Sequence, residues 1–130
     1  MPGEFIQIRR RWSGEDAGLE DYIDEKITVD AYTESEIALG WYYYLEDHLS
    51  FPFQAYIRTA YLEHPEMYSL VTVHRMAGTD RCAYRQMWVL GEPSTCSKRL
   101  FHFALSDIQQ VKAGEQTIEA LTNWKYWVRD

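Results

Sequence analysis

Residues 30–53 read DAYTESEIALGWYYYLEDHLSFPF. Thr33 followed three residues later by Glu36 is the pattern of a capping box, in which each side chain satisfies a backbone donor in the first turn of a helix. Ile37, Trp41, Tyr44, Leu45, His48 and Leu49 then recur at helical spacing and form one stripe. Gly40 lies on the same side, which predicts the close approach of another element. Ser50 and Pro52 end the helix, because proline lacks an amide hydrogen and clashes with the turn before it. Trp41, Tyr42, Tyr43 and Tyr44 are consecutive, so on a helix they point in different directions, two into a core and the others along its edges.

After Pro52 the period changes. FQAYIRTAYL (53–62), YSLVTVHRM (68–76), AYRQMWVL (83–90) and SKRLFHFAL (97–105) carry alternating or β-branched apolar residues and predict strands. AGTD (77–80) and GEPST (91–95) are turn clusters. LSDIQQV (105–111) reads as a short turn or a single helical turn. Upstream, residues 4–12 read as an extended arm. From Ser13, a residue type that caps helices, Leu19, Tyr22, Ile23, Lys26 and Ile27 fall at helical spacing, although KITVDAY (26–32) reads as extended. A last helix begins between residues 114 and 116, with Ile118, Leu121, Thr122, Lys125 and Tyr126 inward and Trp124 and Trp127 flanking. The order of helices, strands and helix predicts an α+β fold: a small SH3-like antiparallel β-barrel packed with an N-terminal helical segment and a C-terminal helix.

The 130 residues fit one domain, and an apolar fraction of 46% supplies a core without staples. The net charge of −7 argues against binding phosphate backbones and favours a cation or a basic partner. More than half of the 20 acidic residues lie between residues 15 and 47, where Lys26 is the one base. No stretch approaches the roughly 18–20 apolar residues of a membrane span, and no apolar region follows a basic start, so a cytoplasmic protein is expected. A turn at residues 91–94 keeps Cys82 and Cys96 apart as free thiols.

The candidate ligands are acids. Asp30, Glu34 and Glu36 stand at the entry of the first clear helix, and Glu46 and Asp47 near its exit. Hard cations such as Ca²⁺ take six to eight oxygens from carboxylates, carbonyls and water. Each acid also has a structural role open to it: turn amides for Asp30, the helix dipole for Glu34, the capping box for Glu36 and a solvated face for Glu46 and Asp47. Acids at a helix C-terminus are mildly unfavourable, which points to a cation or basic neighbour there. An EF-hand register from Ser13 fits poorly, because Ala17 occupies a position that needs an oxygen ligand. His48, His64, His74 and His102 show no zinc-ligand spacing. No nucleophile elbow, P-loop or dinucleotide fingerprint is present, and no enzyme is expected.

The longer string VDAYTESEIALGWYYYLEDHLSFPFQA (29–55) resembles the CcbP family of small prokaryotic calcium-binding proteins, known from cyanobacteria. TIEALTNWKYWV (117–128) is similar to the family's closing helix, RMAGTDRCAYRQMWVL (75–90) to a strand–loop–strand that includes Asp80, and LFHFALSDI (100–108) to the segment after it. The resemblance divides the chain into a variable segment, residues 1–28, and a CcbP-like domain, residues 29–128. It implies calcium binding by clustered side chains, with Asp30, Glu34, Glu36, Glu46, Asp47 and Asp80 as the positions to test. One departure is electrostatic. The loop around Asp80 is acidic in the family, and here it carries Arg81 and Arg85, whose charge opposes a divalent cation. The Ser-Pro-Leu turn of the family is replaced by LEHPEMYSL (62–70). The alternative is therefore an interaction module that kept the fold, lost the ion and meets a basic protein through its acidic face.

Overall fold

The computed structural model describes residues 5–8, 18, 21–58, 68–83, 86–94 and 99–128. Strands β1 (Ile6–Gln7), β2 (Phe53–Arg58), β3 (Tyr68–Met76), β4 (Trp88–Pro93), β5 (Phe101–Ala104) and β6 (Ile108–Lys112) form one antiparallel sheet in the order β1-β6-β2-β3-β4-β5. Two α-helices, α1 (Glu34–His48) and α2 (Glu115–Trp127), accompany it. The α+β class stands. Closure into an SH3-like barrel does not appear: among the described residues no pairing joins β1 to β5, and the sheet is open.

Alternation explains the strands. Phe53, Ala55 and Ile57 of β2 are buried at every second position, as are Val71 and Val73 of β3, with Val89 of β4 also buried; in β6 the buried pair Ile108 and Val111 is three apart, where the register with β2 shifts. Each large side chain so buried contributes about 1.5–3 kcal/mol. β3 spans the expected residues, and β2 starts where expected and runs to Arg58, the rest of the predicted strand lying outside the described residues. The register of the next hairpin differs from expectation. The turn is not at residues 91–94, because Gly91, Glu92 and Pro93 belong to β4, where Leu90 pairs with His102 and Gly91 with Phe101. Gly91 is there for space: a Cβ on it would collide with Cγ1 of Val71 across the ladder. LSDIQQV divides into a 3₁₀ turn, Leu105–Asp107, and a sixth strand whose glutamines conceal the inward pair Ile108 and Val111.

Helix α1 keeps its expected start. Thr33 Oγ1 accepts from Glu36 N at 3.1 Å, and Glu36 Oε1 accepts from Thr33 N at 3.0 Å. Ala38, Trp41, Tyr42, Tyr44 and Leu45 are buried, a broader face than one stripe, because two neighbours cover it. In α2 the buried positions are Thr117, Ala120, Leu121, Asn123, Trp124 and Tyr126, so Leu121 and Tyr126 face inward as expected, whereas Ile118, Thr122 and Lys125 are only half-buried. Trp124 is the anchor, not a flank: its ring meets Trp41 at 5.5 Å and 71°. Thr117 escapes a hydrophobic count, yet its Oγ1 accepts from Ser50 N at 2.9 Å and ties α2 to the end of α1.

Of the expected first helix, residues 21–27 are helical and close as a π-turn, Ile23–Ile27, that buries both isoleucines. KITVDAY is not a strand: Lys26 and Ile27 end the π-turn, and Thr28–Ala31 is a turn in which Ala31 N donates to Thr28 O at 3.1 Å and Asp30 takes a left-handed φ of 58°. Ser13, most of the EF-hand register, His64, Arg85 and Cys96 lie outside the described residues. Among the described residues, no helix is long and apolar enough to cross a membrane.

The close approach expected at Gly40 is present. A Cβ there would lie 2.5 Å from the carbonyl oxygen of Ile27, which is backbone and cannot rotate away. Gly40→Ala is expected to destabilise the protein by about 1–3 kcal/mol as the π-turn is forced off α1, read as a lower urea midpoint. An unchanged midpoint would mean that the two segments separate freely.

Candidate functional site

Residues four apart share a ridge on a helix, so Glu34, Ala38, Tyr42 and Glu46 form one ridge of α1. The loop after β3 lies against it. Tyr42 Oη donates to the carbonyl of Ala77 at 2.7 Å, and both residues are buried. Burial pushes the Tyr42 phenol up, and the charges of Glu46 and then Asp80 push in the same direction. Asp80 sits on the 3₁₀ turn Thr79–Arg81, closed by Arg81 N to Gly78 O at 3.0 Å and Cys82 N to Thr79 O at 3.1 Å. A Cβ at Gly78 would lie 2.6 Å from Asp80 Oδ1, so the glycine leaves room for this carboxylate.

Between ridge and turn runs a groove of about 570 Å³, lined by Glu34, Ala38, Leu39, Thr79, Asp80 and Cys82 among others. It brings Glu34 and Asp80 to one place. Glu46 lies farther along the same ridge and within electrostatic reach of Tyr42. Burial pushes the Cys82 thiol up, and Asp80 adds to the shift, so the sulfur is a neutral thiol and not a soft anionic ligand.

The other expected acids are occupied or apart. Glu36 is committed to the cap. Its Oε1 also accepts from Tyr32 N at 2.7 Å, and these backbone amides hold its carboxyl below the usual value. Asp30 occupies the left-handed position of the Thr28–Ala31 turn, which Asp and Asn tolerate better than most residues. Asp47 is exposed near the end of α1, off the ridge. The six acids are thus not one cluster. Among the described residues no group of three or more His, Cys, Asp and Glu is gathered to hold a metal ion.

The donors in the groove nevertheless fit a hard divalent cation in kind. Glu34, Thr79 and Asp80 offer oxygen only, and two carboxylates leave the remaining positions to carbonyls and water. Two features oppose tight binding. Glu34 stands at the positive end of the helix dipole, and Arg81 is on the same turn as Asp80. Thr79 and Tyr42 were not foreseen. The hydroxyl beside Asp80 is a weak signal in sequence, and the role of Tyr42 depends on a carbonyl 35 residues away.

The family model for CcbP, described as calcium binding, matches residues 21–128. The match begins at residue 21 and not at 29, and so takes in the π-turn that packs on α1. The crystal structure of Anabaena CcbP superposes with a TM-score of 0.79 at 32% identity, covering 89% of this chain and 93% of that one. A second solved structure, a calcium binding protein in the calcium-binding form, superposes with a TM-score of 0.79 at 33% identity, covering 91% and 95%. No curated protein sequence matches the chain.

Two outcomes follow from the hydrogen bonds. Tyr42→Phe leaves the buried Ala77 carbonyl without its donor and is expected to cost about 1–3 kcal/mol in chemical denaturation; a cost near zero would show that the loop is held by other contacts. The Glu36 carboxyl is lowered in the folded state, so its stabilisation is complete above the ordinary glutamate range and is lost as pH falls through the lowered value. The stability difference between wild type and Glu36→Gln should therefore be constant near neutrality and shrink on acidification. A difference that does not change with pH would remove the carboxylate from the cap.

Proposed function

Because the chain belongs to the CcbP family of calcium-binding proteins, we propose that it binds Ca²⁺ through Asp80 and Glu34 across the groove, while Glu46, about 18 Å from Glu34 along the helix axis, adds negative charge to the ridge and is not a ligand of the same ion. The observation that carries this reading is the groove, which sets two carboxylates from segments distant in sequence against one opening. When bound, the ion would relieve the repulsion between these carboxylates and link the loop after β3 to α1. Glu36, Asp30 and Asp47 serve the cap, the turn and the solvated face in this reading, which assigns no ligand to an EF-hand loop. We treat residues 1–130 as one domain whose ion-binding part is the CcbP-like portion. CcbP is a calcium-binding family and not an enzyme family, and no catalytic step is assigned.

A second reading is favoured by the lack of any three-residue metal cluster among the described residues. In it the same acidic ridge meets a basic protein, and Arg81 tempers its charge.

Calorimetric titration of EDTA-stripped protein with CaCl₂, with MgCl₂ as control, separates the two. Saturable heat with Ca²⁺ and little with Mg²⁺ is expected, together with a stabilisation of about 2.7 kcal/mol at a hundredfold excess over Kd. Asp80→Asn and Glu34→Gln should each weaken binding about tenfold, or ~1.4 kcal/mol. Glu36→Gln and Asp47→Asn should change it little. A flat titration removes the calcium reading, and equal losses for all four substitutions remove the groove.

A further inference from the structure

The groove is too large and too apolar to be only an ion site. An ion needs oxygens at 2.3–2.6 Å on all sides. The groove measures about 570 Å³, in the range of about 300–1,000 Å³ that holds organic ligands and side chains. Ala38, Leu39 and Ala83 give it apolar walls, and Leu39 is 38% exposed although its helix has a packed core face. One turn on, Tyr43 is 56% exposed, so Leu39 and Tyr43 continue the apolar surface beyond the groove. Carboxylates flank this surface, Glu34 and Asp80 at the groove and Glu46 along the ridge.

An apolar floor between acidic rims matches an amphipathic segment with the opposite arrangement. We infer that the groove docks a basic amphipathic peptide segment of a partner protein, with a leucine-like side chain on Leu39 and a Lys or Arg between Glu34 and Asp80. The cationic side chain takes the position assigned to Ca²⁺, so peptide and ion exclude each other. The docking part rests on groove shape and charge alone, and only the exclusion rests on the calcium reading. Arg81 at the rim makes the electrostatic contribution modest, and the apolar contact at Leu39 carries the specificity.

The test uses fluorescence anisotropy of a short labelled peptide of leucines and lysines at helical spacing, with full-length protein freed of metal. Two control peptides replace leucine by serine or lysine by glutamate. Saturable binding of the first peptide is expected, weakened about tenfold by Leu39→Asp or by Asp80→Asn, unchanged by Asp47→Asn, and reversed by CaCl₂ but not by equal MgCl₂. Leu39 is exposed, so its substitution leaves the fold intact, and circular dichroism checks this. Equal binding of the serine peptide, or equal weakening by Asp47→Asn, overturns the proposal in favour of general charge attraction. No peptide binding overturns it while leaving the calorimetric Ca²⁺ result untouched. Peptide binding that CaCl₂ does not reverse, in protein that binds Ca²⁺, overturns the exclusion. Peptide binding by protein that fails to bind Ca²⁺ supports the docking surface and removes the calcium reading.

Discussion

The burial of Trp41 is the constraint on which the rest of the molecule depends. It has no exposure to solvent, and its ring meets Trp124 at 5.5 Å, Trp127 at 5.5 Å and Tyr44 at 5.6 Å. These contacts fix α2 against α1. The indole N–H groups of Trp41 and Trp124 are buried without a hydrogen-bond partner. The interplanar angles of 71° and 89° are edge-to-face arrangements, which aromatic pairs favour and which add to the area they bury. A seam with that cost persists because the aromatic area it buries is larger in effect.

Once α1 is anchored by Trp41, its other side is determined by geometry. Tyr42 follows Trp41 by about 100° and reaches the Ala77 carbonyl. That bond draws the Thr79–Arg81 turn to the helix, and Asp80 comes with it. The acidic groove is thus a consequence of core packing, and the chemistry of its rim can vary without disturbing the seam. Arg81 on this turn is tolerable for the same reason: the described part of the loop is held by backbone and phenol, not by its charges.

The sequence disclosed what depends on local pattern. The capping box, the span of α1, the strands β2 and β3 and the tight fit at Gly40 all follow from periodicity and spacing within a few residues. It concealed what depends on tertiary neighbours. Gly91 reads as a turn residue, and only the side chain of Val71 on the next strand explains it. Thr117 reads as polar surface until Ser50 supplies its partner. Among the acids, Glu36 was legible as a capping residue, whereas Glu34 and Asp80 are 46 residues apart in numbering and come together only when the loop meets the helix. Net charge located the acidic segment without saying which carboxylates face each other.

The open sheet has a bearing on how the molecule behaves in company. Its outermost strands, as described, are β1 with two residues and β5 with four. A ladder that short gives an intruding chain few main-chain hydrogen bonds to capture, and like charge of −7 keeps identical molecules apart before contact. Neutralising the acidic ridge weakens the second barrier and leaves the first in place. In a crowded, salt-rich compartment, brevity at the edges is then what protects against edge-to-edge polymerisation.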